Sequence, residues 1–197
     1  IRKDIFVEKL RSAMYFATQA RSLPLIIDAA SRGDFGPFLE LALPAEADAP
    51  SFIAEGAYLS FTCTDDVSRI DAVDNAALND NTYLGDYRVE QQVRACELWP
   101  SGSYPAALNR PLKATVPALL LTGERDPITP PSDGEQVSRG LPNSRVVIVP
   151  HAGHLPFDGS DPECIDRIVL DFLASATVEG LDLSCIDALE PPPFKLN

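Results

Sequence analysis

The sequence predicts an α/β fold in which parallel sheet strands are joined by crossover helices and a helical segment comes first. Three observations predict it. Residues 116–121 and 145–149 are apolar runs that do not alternate with polar residues, the pattern of parallel strands buried on both faces. Each run leads into a polar turn, carrying Asp126 in one case and His154 in the other. From residue 57 onward strand-like and helix-like stretches alternate with short connections, giving a βαβαβα reading with right-handed crossovers.

In chain order, residues 4–20 read as an amphipathic helix, with Asp4 as N-cap and Ile5, Leu10, Met14 and Ala17 on one face. A second helix follows, with Ser22 as cap, Pro24 in its first turn and Gly33 at its end; a third spans residues 35–43. Residues 44–50 are proline-bounded and acidic, a linker or loop. Residues 57–63 are rich in aromatic and β-branched side chains and read as a strand, with Thr64, Asp65 and Asp66 able to cap a following helix. A helix over residues 83–97 ends before Trp99-Pro100.

After the strand that starts near Val116 come a helix at 131–140, the last strand at 145–149 and a closing helix at 161–174. Asp161 is placed to cap that last helix and Pro162 to open it. The proline-rich tail, residues 180–197, is expected to pack as an extended arm fastened by Cys185. Residues 1–50 thus form a helical segment and residues 51–197 a sheet-bearing core. Three strands alone leave an unpaired edge that is apolar on both faces, so further strands are expected upstream.

Composition narrows the function. The 197 residues are 45% hydrophobic, enough for one domain, and contain no apolar stretch of the roughly 20 residues that a membrane span needs. A net charge of -13 argues against nucleic acid and anionic membrane as partners. The first residue is Ile1, so the chain is expected to begin inside a longer protein. The four cysteines form no Cys-x-x-Cys and lie near no histidine pair; neither a metal site nor a cofactor is expected.

Disulfides are the favoured use of these cysteines, as Cys63 with Cys96 and Cys164 with Cys185, each pair linking the start and end of one local unit. Loops of these lengths are worth roughly 3 to 4 kcal/mol in the chain-entropy treatment. They imply an oxidising compartment, hence a secreted or cell-envelope protein. The alternative is four reduced, buried cysteines in a cytosolic protein.

Asp126 and His154, 28 residues apart and each just past a strand, occupy the sheet end where open α/β folds keep their sites. In that order they are the last two members of a Ser…Asp…His triad. No Gly-x-Ser-x-Gly occurs in these residues, and Ser101-Gly-Ser103 lacks both the flanking glycines and the preceding strand of a nucleophile elbow.

The chain resembles the C-terminal half of a secreted α/β-hydrolase of the tripeptidyl aminopeptidase-like group, related to the proline iminopeptidase family of serine exopeptidases. The likeness rests on an ordered series: Ser31-Arg-Gly-Asp34, Phe61-Thr-Cys-Thr-Asp65, Cys96-Glu-Leu-Trp-Pro100, Leu119-Leu-Leu-Thr-Gly-Glu-Arg-Asp-Pro127, His151-Ala-Gly-His154, Cys164, Leu183-Ser-Cys185 and Pro193-Phe194. It implies acyl-transfer hydrolysis. Asp126 would orient and stabilise the imidazole of His154, which would act as base and then acid. Serine and oxyanion hole would come from an N-terminal half, supplied by the same precursor or a separate chain.

The resemblance also implies that residues 1–50 are a cap over the active site, ordinary packing helices being the other reading. Carboxylates near this cap would then recognise a substrate's terminal ammonium, for which Asp65 and Asp66 are candidates, helix capping being their other role. Asp126-Pro127 is also an ordinary turn dipeptide. His151 is the rival histidine, placed directly after Pro150. Against an exopeptidase acting on a peptide stand two alternatives: an esterase acting on another small molecule with the same triad, and a catalytically inert C-terminal fragment.

Overall fold

The computed structural model describes residues 1–43, 54–70, 79–159 and 161–196. In chain order the helices and strands are α1 (Lys3–Ala13), α2 (Ala17–Ala20), α3 (Leu23–Ser31), α4 (Gly36–Ala42), α5 (Glu55–Thr64), α6 (Tyr87–Leu98), β1 (Ala118–Gly123), α7 (Pro131–Ser138), β2 (Ser144–Val149) and α8 (Pro162–Ser175), with short 3-10 turns at Val67–Arg69, Ala106–Asn109 and Ile186–Ala188. They fall into two compact units: Ile1–Val7 with Leu43–Arg110, and Glu8–Ala42 with Pro111–Asn197. The expected linker at 44–50 lies outside the described residues. Among the described residues no helix is long and apolar enough to cross a membrane.

The second unit carries the sheet. β1 and β2 pair in parallel, from Ala118 opposite Ser144 to Gly123 opposite Val149, with α7 as the crossover between them. Val147 and Val149 of β2 bury against Cys164, Ile165 and Ile168 of α8, together with Ala152 and Ile186. Positions 164, 165 and 168 share one helical face. Burying Ile165 and Ile168 contributes about 1.5 to 3 kcal/mol each.

The start of α8 is as its sequence dictates: the Asp161 carboxylate accepts from the Cys164 amide at 3.2 Å, and Pro162 opens the first turn, where no amide hydrogen is needed. Disulfide Cys164–Cys185, with Cα atoms 5.8 Å apart, ties the tail to α8.

The helical segment departs from the expected single helix over 4–20. Helix α1 stops at Ala13 because Met14 and Tyr15 turn their amides to the Arg11 and Ser12 carbonyls, and the Tyr15 carbonyl accepts from the Leu155 amide instead of continuing a helix. Nor does Asp4 cap this helix. It lies inside the first turn, where its carboxylate takes two hydrogen bonds from Arg2 at 2.6 and 3.0 Å. Ser22 occupies the N-cap position of α3 without a side-chain capping bond, whereas Asp34 does cap α4, accepting from the Gly36 amide at 2.9 Å.

The largest correction concerns residues 57–63, which form helix α5 and not a strand. Their side chains find helical uses. The Ser60 and Thr62 hydroxyls donate to the carbonyls one turn earlier, at Gly56 and Tyr58, and Tyr58 and Thr62 share one face on which both bond Gln92 of α6. Disulfide Cys63–Cys96 fastens α5 to α6, with Cα atoms 5.1 Å apart. β propensity reflects packing surroundings more than backbone preference, and these surroundings are helical. The βαβαβα reading therefore reduces, among the described residues, to one parallel strand pair.

Helix α6 begins at Tyr87, four residues later than expected, because residues 80–86 make turns and bends, spanned by Asn79 Nδ2 donating to Asp86 Oδ1 at 2.9 Å. Gly85 sits at φ +54, outside the right-handed helical region.

Both disulfides join the pairs that the sequence favoured, and they are compatible with an oxidising compartment.

Candidate active site

The turn after β1 builds a carboxylate cradle. Asp126 follows the strand by three residues, and its Oδ1 accepts from the backbone amides of Ile128 and Thr129 at 2.8 and 3.1 Å. This is the local Asp turn that aspartate favours, and Pro127 fixes φ inside it. The Thr129 hydroxyl donates to Oδ2 at 2.8 Å. Sequence reading missed Thr129. Its only signal was a hydroxyl residue three positions after an aspartate.

The turn after β2 brings in the histidine. His154 Nδ1 lies 2.9 Å from Asp126 Oδ2 and 3.1 Å from Oδ1. An ionised carboxylate only accepts hydrogen bonds, so Nδ1 carries a proton, and in the neutral imidazole the lone pair is then on Nε2. Exposure divides the pair: the Asp126 side chain is 3% accessible and that of His154 32%, so the imidazole is the partner open to a reacting molecule. Burial alone pushes the Asp126 carboxyl up, but donation from His154, the Ile128 amide and Thr129 outweighs it and holds the carboxyl below its ordinary range. A neutral imidazole anchored at Nδ1 by a buried carboxylate is poised to take a proton at Nε2.

Two glycines let the turns come together. A methyl group at Gly123 would collide with the carbonyl oxygens of Ala152 and Gly153, and one at Gly153 with those of Met14 and Tyr15. The residues around Tyr15 meet the histidine turn at three further points: the Leu155 amide donates to the Tyr15 carbonyl at 3.1 Å, Thr18 donates to Asp158 through both amide and hydroxyl, and the Tyr15 ring packs edge-on with the His154 ring, centroids 5.1 Å apart and planes at 82°.

The rival histidine has another setting. His151 adopts φ +62, its amide donates to Glu124 Oε2 at 2.8 Å, and its Nδ1 lies 3.0 Å from Arg125 Nη2. An arginine only donates, so that contact spends the Nδ1 lone pair.

Asp65 and Asp66 belong to the other unit. They follow helix α5, so their expected position at a strand end is corrected, and Asp66, at the start of the next 3-10 turn, makes no side-chain capping bond. Both carboxylates pair with Arg69, whose guanidinium also lies 5.1 Å from the centre of the Tyr104 ring.

Residues 81–185 match the family described as TAP-like protein, a span that covers a little over half the chain and contains both Asp126 and His154. The chain belongs to the TAP-like family. Its fold is accordingly the C-terminal part of an α/β-hydrolase, in which an acid and a histidine after successive parallel strands are expected neighbours.

A protein named non-heme bromoperoxidase BpoC, from Mycobacterium tuberculosis, is 33% identical over 110 residues, covering 50% of this chain and 40% of its own. A pimeloyl-[acyl-carrier protein] methyl ester esterase from Neisseria meningitidis is 39% identical over 80 residues, covering 37% of this chain and 25% of its own. The crystal structure of BpoC aligns with a TM-score of 0.32 and 25% identity, over 62% of this chain and 51% of that one. The chain spans well under two thirds of the length of these relatives.

Proposed function

We propose that the complete protein is a serine hydrolase that works through an acyl-enzyme, with Asp126 and His154 as two members of its triad. The observation that carries this is the 2.9 Å contact between His154 Nδ1 and buried Asp126 in a TAP-like chain. Serine and oxyanion hole belong, in this reading, to an N-terminal half of the hydrolase that the present residues do not contain. His154 Nε2 takes the serine proton as the hydroxyl oxygen attacks the substrate carbonyl, then gives it to the leaving group; water repeats the sequence to free the acid.

The preferred substrate is a peptide with a free N-terminus, from which a short piece is removed. In that reading Asp65 and Asp66 take the terminal ammonium, exchanging Arg69 for it. Ester hydrolysis is the second reading, favoured by the relative named as a methyl ester esterase. The disulfides support a secreted or cell-envelope location.

The test is fluorophosphonate labelling of the complete protein with and without His154→Ala, followed by turnover of a free-N-terminus peptide amide and of a simple ester. Labelling of a serine in a Gly-x-Ser-x-Gly segment and a loss on the order of 10^4-fold or more in the variant are expected. An unlabelled protein, or near-normal turnover without His154, sinks the reading. Preference between the two substrates separates peptidase from esterase.

A further inference from the structure

His154 is held by more than Asp126. Partners at Nδ1 alone, the Asp126 carboxylate at 2.9 Å and the Thr129 hydroxyl oxygen at 3.3 Å, leave the imidazole free to swing about that end, and a base needs its Nε2 aimed at one place. The feature that restricts the swing is the Tyr15 ring, set at 82° to the imidazole with centroids 5.1 Å apart, within the range of favourable edge-to-face packing.

Tyr15 is itself fixed. Its carbonyl accepts from Leu155, the residue after His154, so ring and backbone grip the same turn. Arg11, one helical turn earlier, places its guanidinium 5.4 Å from the centre of the Tyr15 ring, donates weakly to the Tyr15 hydroxyl at 3.4 Å and is paired with Glu8 at 3.7 Å. The close approach at Gly153 excludes any side chain that would push this turn away.

We propose that Tyr15 is a positioning residue, whose ring keeps the imidazole of His154 aligned with Asp126 so that Nε2 faces the reacting atoms. This rests on the reading of His154 as the general base. It assigns the break between α1 and α2 a role: the helix stops where its carbonyl and ring are needed by the histidine turn. The ring does the work, not the hydroxyl, because the hydroxyl faces Arg11.

The experiment compares Tyr15→Phe, Tyr15→Leu and His154→Ala in the complete protein, with two readouts: kcat and KM separately, and the NMR signal of the His154 Nδ1 proton. Tyr15→Phe keeps the ring and is expected to match the parent in both. Tyr15→Leu is expected to lose about 10^2-fold in kcat, the scale of a misplaced catalytic group. Its KM should stay near the parent's, and its Nδ1 proton signal should broaden through faster exchange while near-ultraviolet circular dichroism shows a folded protein.

A sharp, unshifted Nδ1 signal in Tyr15→Leu with parental kcat would overturn the proposal, as would equal damage from Tyr15→Phe or an effect confined to KM. Retained turnover in His154→Ala defeats the general-base reading. If the Nδ1 signal still depends on the Tyr15 ring in that case, alignment of the imidazole stands without it.

Discussion

His154 Nδ1 and the Thr129 hydroxyl converge on one oxygen of Asp126, at 2.9 and 2.8 Å, while two backbone amides occupy the other. The carboxylate is thus fixed before the histidine adds its bond, by donors from a turn four residues long, Asp126 to Thr129. Because the Asp126 side chain is 3% exposed, little water competes for these donors.

Replacing Asp126 with Asn preserves the shape and reverses the chemistry. An amide nitrogen facing Nδ1 favours the tautomer protonated at Nε2, which has no lone pair to offer there. In the complete protein kcat should fall by about 10^4-fold, the scale known for this exchange in triads. Steady-state kinetics checks it, and a change of less than about tenfold would remove Asp126 from the mechanism.

Acid should expose the same network through stability. The folded Asp126 carboxyl is held below the unfolded value of about 3.9, so its ionised form contributes stability that is complete above that value and is lost as pH falls through the lower, folded one. Urea midpoints taken from about pH 6 to pH 2.5 should fall less steeply in Asp126→Asn than in the parent. Thr129→Val, which deletes one donor to the carboxylate, should move the loss to higher pH. Coincident acid limbs in all three proteins would show that the cradle contributes nothing.

Gly153→Ala is expected to destabilise through overpacking, because the new methyl group meets two backbone carbonyls that cannot rotate aside. The cost should be about 1 to 3 kcal/mol in unfolding free energy. Thermal or urea denaturation measures it; Gly159→Ala, where no atom lies within contact distance, serves as the neutral comparison.

Loss of the Cys164–Cys185 bridge should act on the tail. Its partners are 21 positions apart, and the bridged sulfurs border the core made by Ile165, Ile168 and Ile186. Replacing both cysteines with Ser should lower stability by about 3 kcal/mol and make residues near Cys185 the first site of protease cleavage. Limited proteolysis with mass spectrometry reads the second effect, and an unchanged cleavage pattern would show that the tail holds by packing alone.

Much of this was legible beforehand because it is local. The apolar runs of β1 and β2 and the Asp161-Pro162 start of α8 are written in adjacent residues, and adjacent residues are what periodicity and capping chemistry read. Asp126 and His154 were legible as a spacing after two such runs. Residues 57–63 were misread for the opposite reason: their aromatic and hydroxyl side chains suit a strand or a helix, and the deciding partners, Gln92 and Cys96, lie about 30 positions away. Thr129 and Tyr15 gave little or no sequence signal, since their roles consist of where their neighbours sit.

By itself, then, the sequence determined the elements that close within a few residues, namely the two apolar strand segments, the capped closing helix and the Asp126-Pro127 turn, because short-range sterics and hydrogen bonding fix these wherever they occur. In the structure, however, the strands are only partly buried, with Arg145 and Ile148 exposed. Tertiary structure alone decided that α1 ends at Ala13, that residues 57–63 are helical and that Tyr15 lies against His154. Each of these depends on contacts between residues far apart in the chain, whose energies outweigh the weak local preferences they override.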